Sequence, residues 1–166
     1  MKILSIDPST KSTGIAIFEN DKLISYKCIT ATSENLFKRI RKMQEEIKTI
    51  IETEKIEAIY MEDVLPEDVK GNRTVFKALM YLQGYLCEVF KEFGITPTFY
   101  FPSEWRAKLN IHTGRGVMRD SLKPQDIAFV KKKYNIDVND DIADAICIGC
   151  AALTKEKVVS GGFEFK

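Results

Sequence analysis

The sequence predicts an α/β domain in which a few strands come first and amphipathic helices then alternate with further strands. Three observations carry this. Ile3, Leu4 and Ile6 form a short apolar run that must end at Asp7, because Pro8 has no N–H to give a sheet ladder. Between Ser33, a good N-cap, and Glu54, the apolar residues Leu36, Ile40, Met43, Ile47 and Ile50 recur at steps of four and three, the period of a helix with one buried face. Ile56 to Val64 then repeats the first pattern, with Ala58-Ile-Tyr-Met61 running into Glu62 and Asp63. A strand, a long helix and a strand form a right-handed crossover, so this strand lies parallel to one already in the sheet.

The remaining elements follow in order. Gly14 to Phe18 and Lys22 to Ile29 read as two strands joined by the polar turn Glu19-Asn-Asp-Lys22, which makes the first three strands an antiparallel meander. Pro66 to Gly71 is a loop. Thr74 to Phe93 is a helix closed by Gly94, with an apolar stripe wider than one sheet-facing side requires. Thr96 to Phe101 is a fifth strand, and Pro102-Ser103 opens a short helix containing Trp105-Arg106. Asn110 to Arg119 carries Gly114-Arg115-Gly116 and reads as a mobile loop. Ser121 to Tyr134 is helical with Pro124 in its first turn, and Asn139 caps a final helix from Asp140 to about Thr154. The stretch from Lys155 to Lys166 gives no signal.

At 166 residues the chain suits one domain with a sizeable core, so residues 1–166 are read as a single domain. A hydrophobic share of 45% and a charged share of 30% exclude a disordered or membrane-embedded chain. No apolar run reaches the roughly 18 to 20 residues of a membrane span, and the N-terminus lacks the apolar core of a signal peptide. A cytoplasmic protein without membrane contact is expected. The formal net charge is only +1, so binding to nucleic acid would need uneven charge placement.

Of the four cysteines, Cys147 and Cys150 form a C-x-x-C inside the apolar run Ala143 to Leu153. With no second pair at zinc-ligand spacing, they read as core residues. His112 is the only histidine. Carboxylates are therefore the place to look for chemistry. Asp7 and Glu62 both end strands. Asp140 and Asp141 complement the dipole of the final helix, whereas Asp144 lies a turn further in, on a helix apolar nearly all round, where an unpaired carboxylate costs several kcal/mol. Asp141 and Asp144 share a helical face. Such a set of hard oxygen ligands suits Mg²⁺ or Mn²⁺.

These residues resemble the RuvC-type Holliday-junction resolvases of the ribonuclease H-like superfamily. The resemblance rests on Ile6-Asp-Pro-Ser-Thr-Lys-Ser-Thr-Gly-Ile15, on Met61-Glu62 and on Asp141-Ile-Ala-Asp-Ala-Ile146, in the family's order from Met1 to Leu153. It implies a five-stranded mixed sheet in the order 3-2-1-4-5 flanked by helices, and a catalytic set of Asp7, Glu62, Asp141 and Asp144 holding two Mg²⁺ or Mn²⁺ ions. It also implies a homodimer that nicks opposed strands of a four-way junction, leaving 5′-phosphates. The family commonly has glycine where Ser9 stands, and many members carry an aromatic residue where Leu65 stands. The Trp105-Arg106 element looks like the resolvases of phages and Gram-positive hosts.

From Pro102 to Lys133, eight cations stand against three acids, an excess of five on a nearly neutral chain. Lys131 to Lys133 read as a solvated helix face. Arg106, Arg115, Arg119 and Lys123 are expected to contact DNA phosphates, with Lys11 and Arg73 as further candidates. In the resemblance, Arg106 and Lys123 stand where the family holds the cleaved strand. Other readings of the same carboxylates are a ribonuclease H-type enzyme acting on RNA/DNA hybrids and an inactive junction-binding module. A nucleotide-binding ATPase lobe is disfavoured, because that class needs two such lobes.

Overall fold

The computed structural model describes residues 1–66, 72–111 and 119–154, with the backbone alone for residues 119–121. Its elements are β1 (Lys2–Asp7), β2 (Ser12–Glu19), β3 (Lys22–Thr30), α1 (Leu36–Glu54), β4 (Ala58–Glu62), α2 (Arg73–Glu92), β5 (Thr98–Tyr100), α3 (Pro102–Lys108), α4 (Arg119–Tyr134) and α5 (Asp140–Leu153). The five strands make one sheet in the order β3-β2-β1-β4-β5. β1, β2 and β3 are antiparallel, while β4 runs parallel to β1 and β5 parallel to β4. This is the mixed sheet that the resemblance implies.

Strand alternation decides which side chains meet which helices. Leu4, Ile6, Ile59 and Met61 face α1 and α2, in a core with Ile40, Met43, Ile47, Leu82, Leu86 and Phe90. Ile3, Ala16 and Phe18 face the opposite way, into a core with Trp105, Val130 and the buried length of α5. By the same alternation Asp7 and Glu62 belong to the α5 side. Ser5, between Ile3 and Asp7, pins that helix to the sheet: its buried hydroxyl donates 2.7 Å to the Ala145 carbonyl.

Two glycines let α5 sit so low. A Cβ at Gly14 would lie 1.9 Å from the carbonyl oxygen of Asp141, and one at Gly149 would lie 2.2 Å from the Phe18 ring. Cys147 and Cys150 are buried in this layer as free thiols, as expected of core residues.

Several boundaries differ from the sequence reading. α1 is capped by Asn35, whose side chain accepts from the Lys38 N–H, while the Ser33 hydroxyl accepts from the Asn35 N–H in the preceding turn. α2 is capped by Asn72. β5 is three residues long because Pro97 cannot join the ladder. Pro124 lies in the second turn of α4, since that helix begins at Arg119. Asn139 caps α5 as the sequence predicts, accepting 3.0 Å from the Ile142 N–H. The β2–β3 hairpin turns on Asn20 and Asp21, both at positive φ, as a two-residue turn of this hand requires. The segments 67–71 and 112–118, within the two loops read from the sequence, lie outside the described residues, as do His112, Arg115 and the stretch 155–166.

Candidate active site

β1 and β4 end together. Their parallel register pairs Ile6 with Met61, so the next residues, Asp7 and Glu62, stand side by side at the same edge of the sheet. Over that edge lies the first part of α5. Asp7, Glu62, Asp141 and Asp144 line one cleft of about 710 Å³, whose walls include Ser9, Lys11, Arg39, Asn72, Thr74 and Lys123. Three separate elements, brought together by strand parity and the low seat of α5, therefore deliver the four predicted carboxylates to one place.

Each carboxylate sits in a different environment. Glu62 accepts a 2.9 Å hydrogen bond from the indole Nε1 of Trp105. Its main-chain carbonyl accepts another, also 2.9 Å, from the buried Gln83 amide. Asp141 accepts from the Ser12 hydroxyl, which is itself 3.0 Å from the Cys28 thiol. Asp144 is buried, and its Oδ1 has no hydrogen-bond partner. Burial, reinforced by the charges of Glu62 and Asp126 and opposed by Arg106, pushes its carboxyl up to about 8.

An orphaned buried carboxylate oxygen beside two strand-end acids is a place where a hard cation would satisfy both charge and coordination. Among the described residues, no three carboxylate, histidine or cysteine side chains are gathered tightly enough to hold an ion as they stand.

The family model for crossover junction endodeoxyribonuclease RuvC matches residues 3–152. The chain belongs to the RuvC family. RuvC of Aliarcobacter butzleri is 30% identical over 155 residues, covering 89% of this chain and 95% of that relative. RuvC of Campylobacter hominis is also 30% identical over 155 residues, covering 89% and 92%. Among solved structures, Thermus thermophilus RuvC in complex with a Holliday junction substrate superposes with a TM-score of 0.70 at 14% identity, covering 91% of each chain. The fowlpox virus Holliday junction resolvase gives 0.62 at 15% identity, covering 92% of this chain and 96% of the other. At such identities these two establish the shared RuvC fold.

The basic residues divide. Lys123 lines the cleft and is ion-paired with Asp140, whose carboxyl the ammonium holds below the usual range. Lys11 and Arg73 are exposed, Lys11 on the cleft wall and Arg73 at the start of α2. Arg106 corrects the sequence reading. It is 6% exposed, and its Nε and Nη2 grip the fully buried Asp126 at 3.1 and 2.8 Å, so the guanidinium faces the interior rather than DNA. Arg115 and the side chain of Arg119 lie outside the described residues.

Sequence reasoning missed three residues that line this RuvC-family cleft or hold the residues beside it. Arg39 reaches from α1 to the carbonyls of Thr10 and Ser33, at 3.1 and 2.7 Å, and ties the turn after Asp7 to the helix. Its place on the polar edge of the helical stripe gave no sign of this. Asp126 was readable: it shares a helical face with Phe129 and Val130, where an acid must have a partner. Ser12 could be found only from tertiary structure.

Proposed function

We propose that this chain is a cytoplasmic, divalent-metal-dependent endodeoxyribonuclease that resolves four-way DNA junctions. In this reading one nuclease domain per protomer of a homodimer makes one of two paired nicks, each leaving a 5′-phosphate. The observation that carries it is the pairing of Asp7 with Glu62 at the β1–β4 edge, with the orphaned Oδ1 of Asp144 in the same cleft. The names of the curated relatives, and the junction substrate bound to the Thermus protein, support the substrate class.

Asp7, Glu62, Asp141 and Asp144 would hold two Mg²⁺ or Mn²⁺ ions, for which four carboxylates are a suitable all-oxygen set. When bound, such ions supply activation of a water and stabilisation of the leaving 3′ oxygen. The protein residues place the phosphodiester. Lys11 and Lys123 on the cleft wall, with Arg73 at the mouth of α2, provide positive charge for the phosphates that flank the cleaved one. Arg115 and Arg119 are further candidates for phosphate contact by their place in the sequence. The homodimer is supported by the outer face of α1 and α2, where Phe37, Met80, Tyr81 and Tyr85 are exposed together. A two-fold dimer matches the approximate symmetry of a four-way junction.

A cleavage panel of four-way junction, flap, duplex and RNA/DNA hybrid, run with Mg²⁺ and with Mn²⁺, tests the reading. Paired nicks in the junction are the expected result. Preferential cutting of the hybrid would assign ribonuclease H-type activity instead, and tight junction binding without cutting in either metal would assign an inactive binding module.

A further inference from the structure

Trp105 is the one tryptophan of the chain and is completely buried. A buried indole N–H needs an acceptor, and here the acceptor is the side chain of a cleft carboxylate, Glu62. The ring has its own support. The Arg106 guanidinium lies 4.0 Å from the ring centroid, and Asp126 on α4 fixes that guanidinium in a two-pronged ion pair. Asp126, Arg106, Trp105 and Glu62 thus form a continuous strut from α4 through α3 to the end of β4. On the opposite side of the sheet, the Gln83 amide of α2 holds the Glu62 main chain.

We propose that Trp105 is a positioning residue of the cleft: its N–H fixes the Glu62 carboxylate in the orientation that receives a divalent cation, and the Arg106–Asp126 pair buttresses the indole. The inference rests on the reading of Glu62 as a cation ligand. A glutamate side chain has three rotatable bonds, and ordering it in advance removes an entropic cost from cation binding. The chemistry of the donor also matters. A neutral N–H orients the carboxylate without cancelling the charge that attracts the cation, whereas a lysine or arginine in its place would compete with the ion. The nearby Arg106 is directed to Asp126 by two nitrogens.

A purely structural tryptophan predicts that phenylalanine, which keeps most of the ring and loses the N–H, leaves cation binding unchanged. The positioning role predicts otherwise. The full chain is titrated with Mn²⁺ and with Mg²⁺ while melting temperature and, for the parent protein, tryptophan emission are followed. The single indole beside Glu62 should change its emission with the same midpoint as the rise in melting temperature. In Trp105→Phe the protein in chelator melts as a cooperative fold, but the midpoint of the metal-induced rise moves about 10- to 100-fold upward, the usual effect of losing an outer contact to a ligand. Junction cleavage returns at high metal concentration. If Trp105→Phe does not fold, biosynthetic replacement of the single tryptophan by benzothienylalanine removes the N–H and keeps the shape of the ring. An unshifted midpoint in either folded protein overturns the proposal. A parent protein whose melting temperature does not respond to metal overturns the reading of the carboxylates as a cation site, and the inference with it.

Discussion

Arg106 is shared unequally between two acids: its Nη2 and Nε bind Asp126 at 2.8 and 3.1 Å, and it stands 4.0 Å from Asp144. The closer acid takes the guanidinium, and the cleft acid is left with an unpartnered Oδ1. One cation thus fastens α3 to α4 while only partly offsetting the charge of Asp144. Removing it should unfasten the helices. Arg106→Gln leaves Asp126 buried and unpaired, which destabilises the fold by about 3 to 5 kcal/mol. Denaturant unfolding measures this. Junction affinity per folded molecule, by gel shift, should stay near the parent value, and a large specific loss would restore Arg106 to the DNA surface.

Asp144 makes the stability of the metal-free protein depend on pH. Its folded-state value of about 8 lies above the ordinary 3.8, so the folded protein binds this proton more tightly than the unfolded chain does. The stabilising contribution is complete below about pH 4 and is lost as pH rises through about 8. Asp144→Asn cannot ionise. In chelator it should therefore be at least as stable as the parent at about pH 9, with the advantage fading towards pH 5. Its metal-induced rise in melting temperature should disappear. Thermal melts of both proteins across pH check this, and a strongly destabilised Asp144→Asn at about pH 9 would mean that the Arg106 contact dominates.

Asp7→Asn and Glu62→Gln preserve shape and each remove one charge from the paired strand ends. Cleavage of a four-way junction should fall by more than the ten- to hundredfold typical of an outer contact, roughly a thousandfold. Junction binding should be equal or tighter, because repulsion of the phosphate backbone is reduced. Single-turnover cleavage and gel shifts measure the two effects, and activity within tenfold of the parent would remove the residue from the catalytic set.

The exposed aromatic cluster makes a separate prediction. The Phe37 ring lies 6.0 Å from that of Tyr81 and 6.4 Å from that of Tyr85. Tyr85→Glu on this face should turn a homodimer into a monomer at micromolar concentration while leaving the melting temperature of the protomer nearly unchanged. Sedimentation velocity gives the answer, and an unaltered sedimentation coefficient would place the interface elsewhere.

Much of the fold was legible because local signals agreed with the tertiary arrangement. Asp7 and Glu62 each ended an apolar run, and one crossover put those runs side by side. Asp144 stood out because a charged residue on an otherwise apolar helix demands a reason. Arg106 was misread because a sequence shows that a residue is cationic and not which way it faces. Its partner is twenty positions away on another helix, and such a pairing has no period. The short β5 was a different kind of miss, since Pro97 marked its start and only the neighbouring apolar residues suggested a longer strand.

Gly14 is the cross-strand partner of Asp7, and it is also the point where the backbone of Asp141 comes closest to the sheet. The spacing between the two carriers of the cleft acids is thus set by main chain against main chain, with no side chain between them to be lengthened or shortened. Substitutions in the surrounding core can be absorbed without moving one carrier relative to the other. A core rewritten around these two backbones keeps that spacing for as long as position 14 carries no side chain.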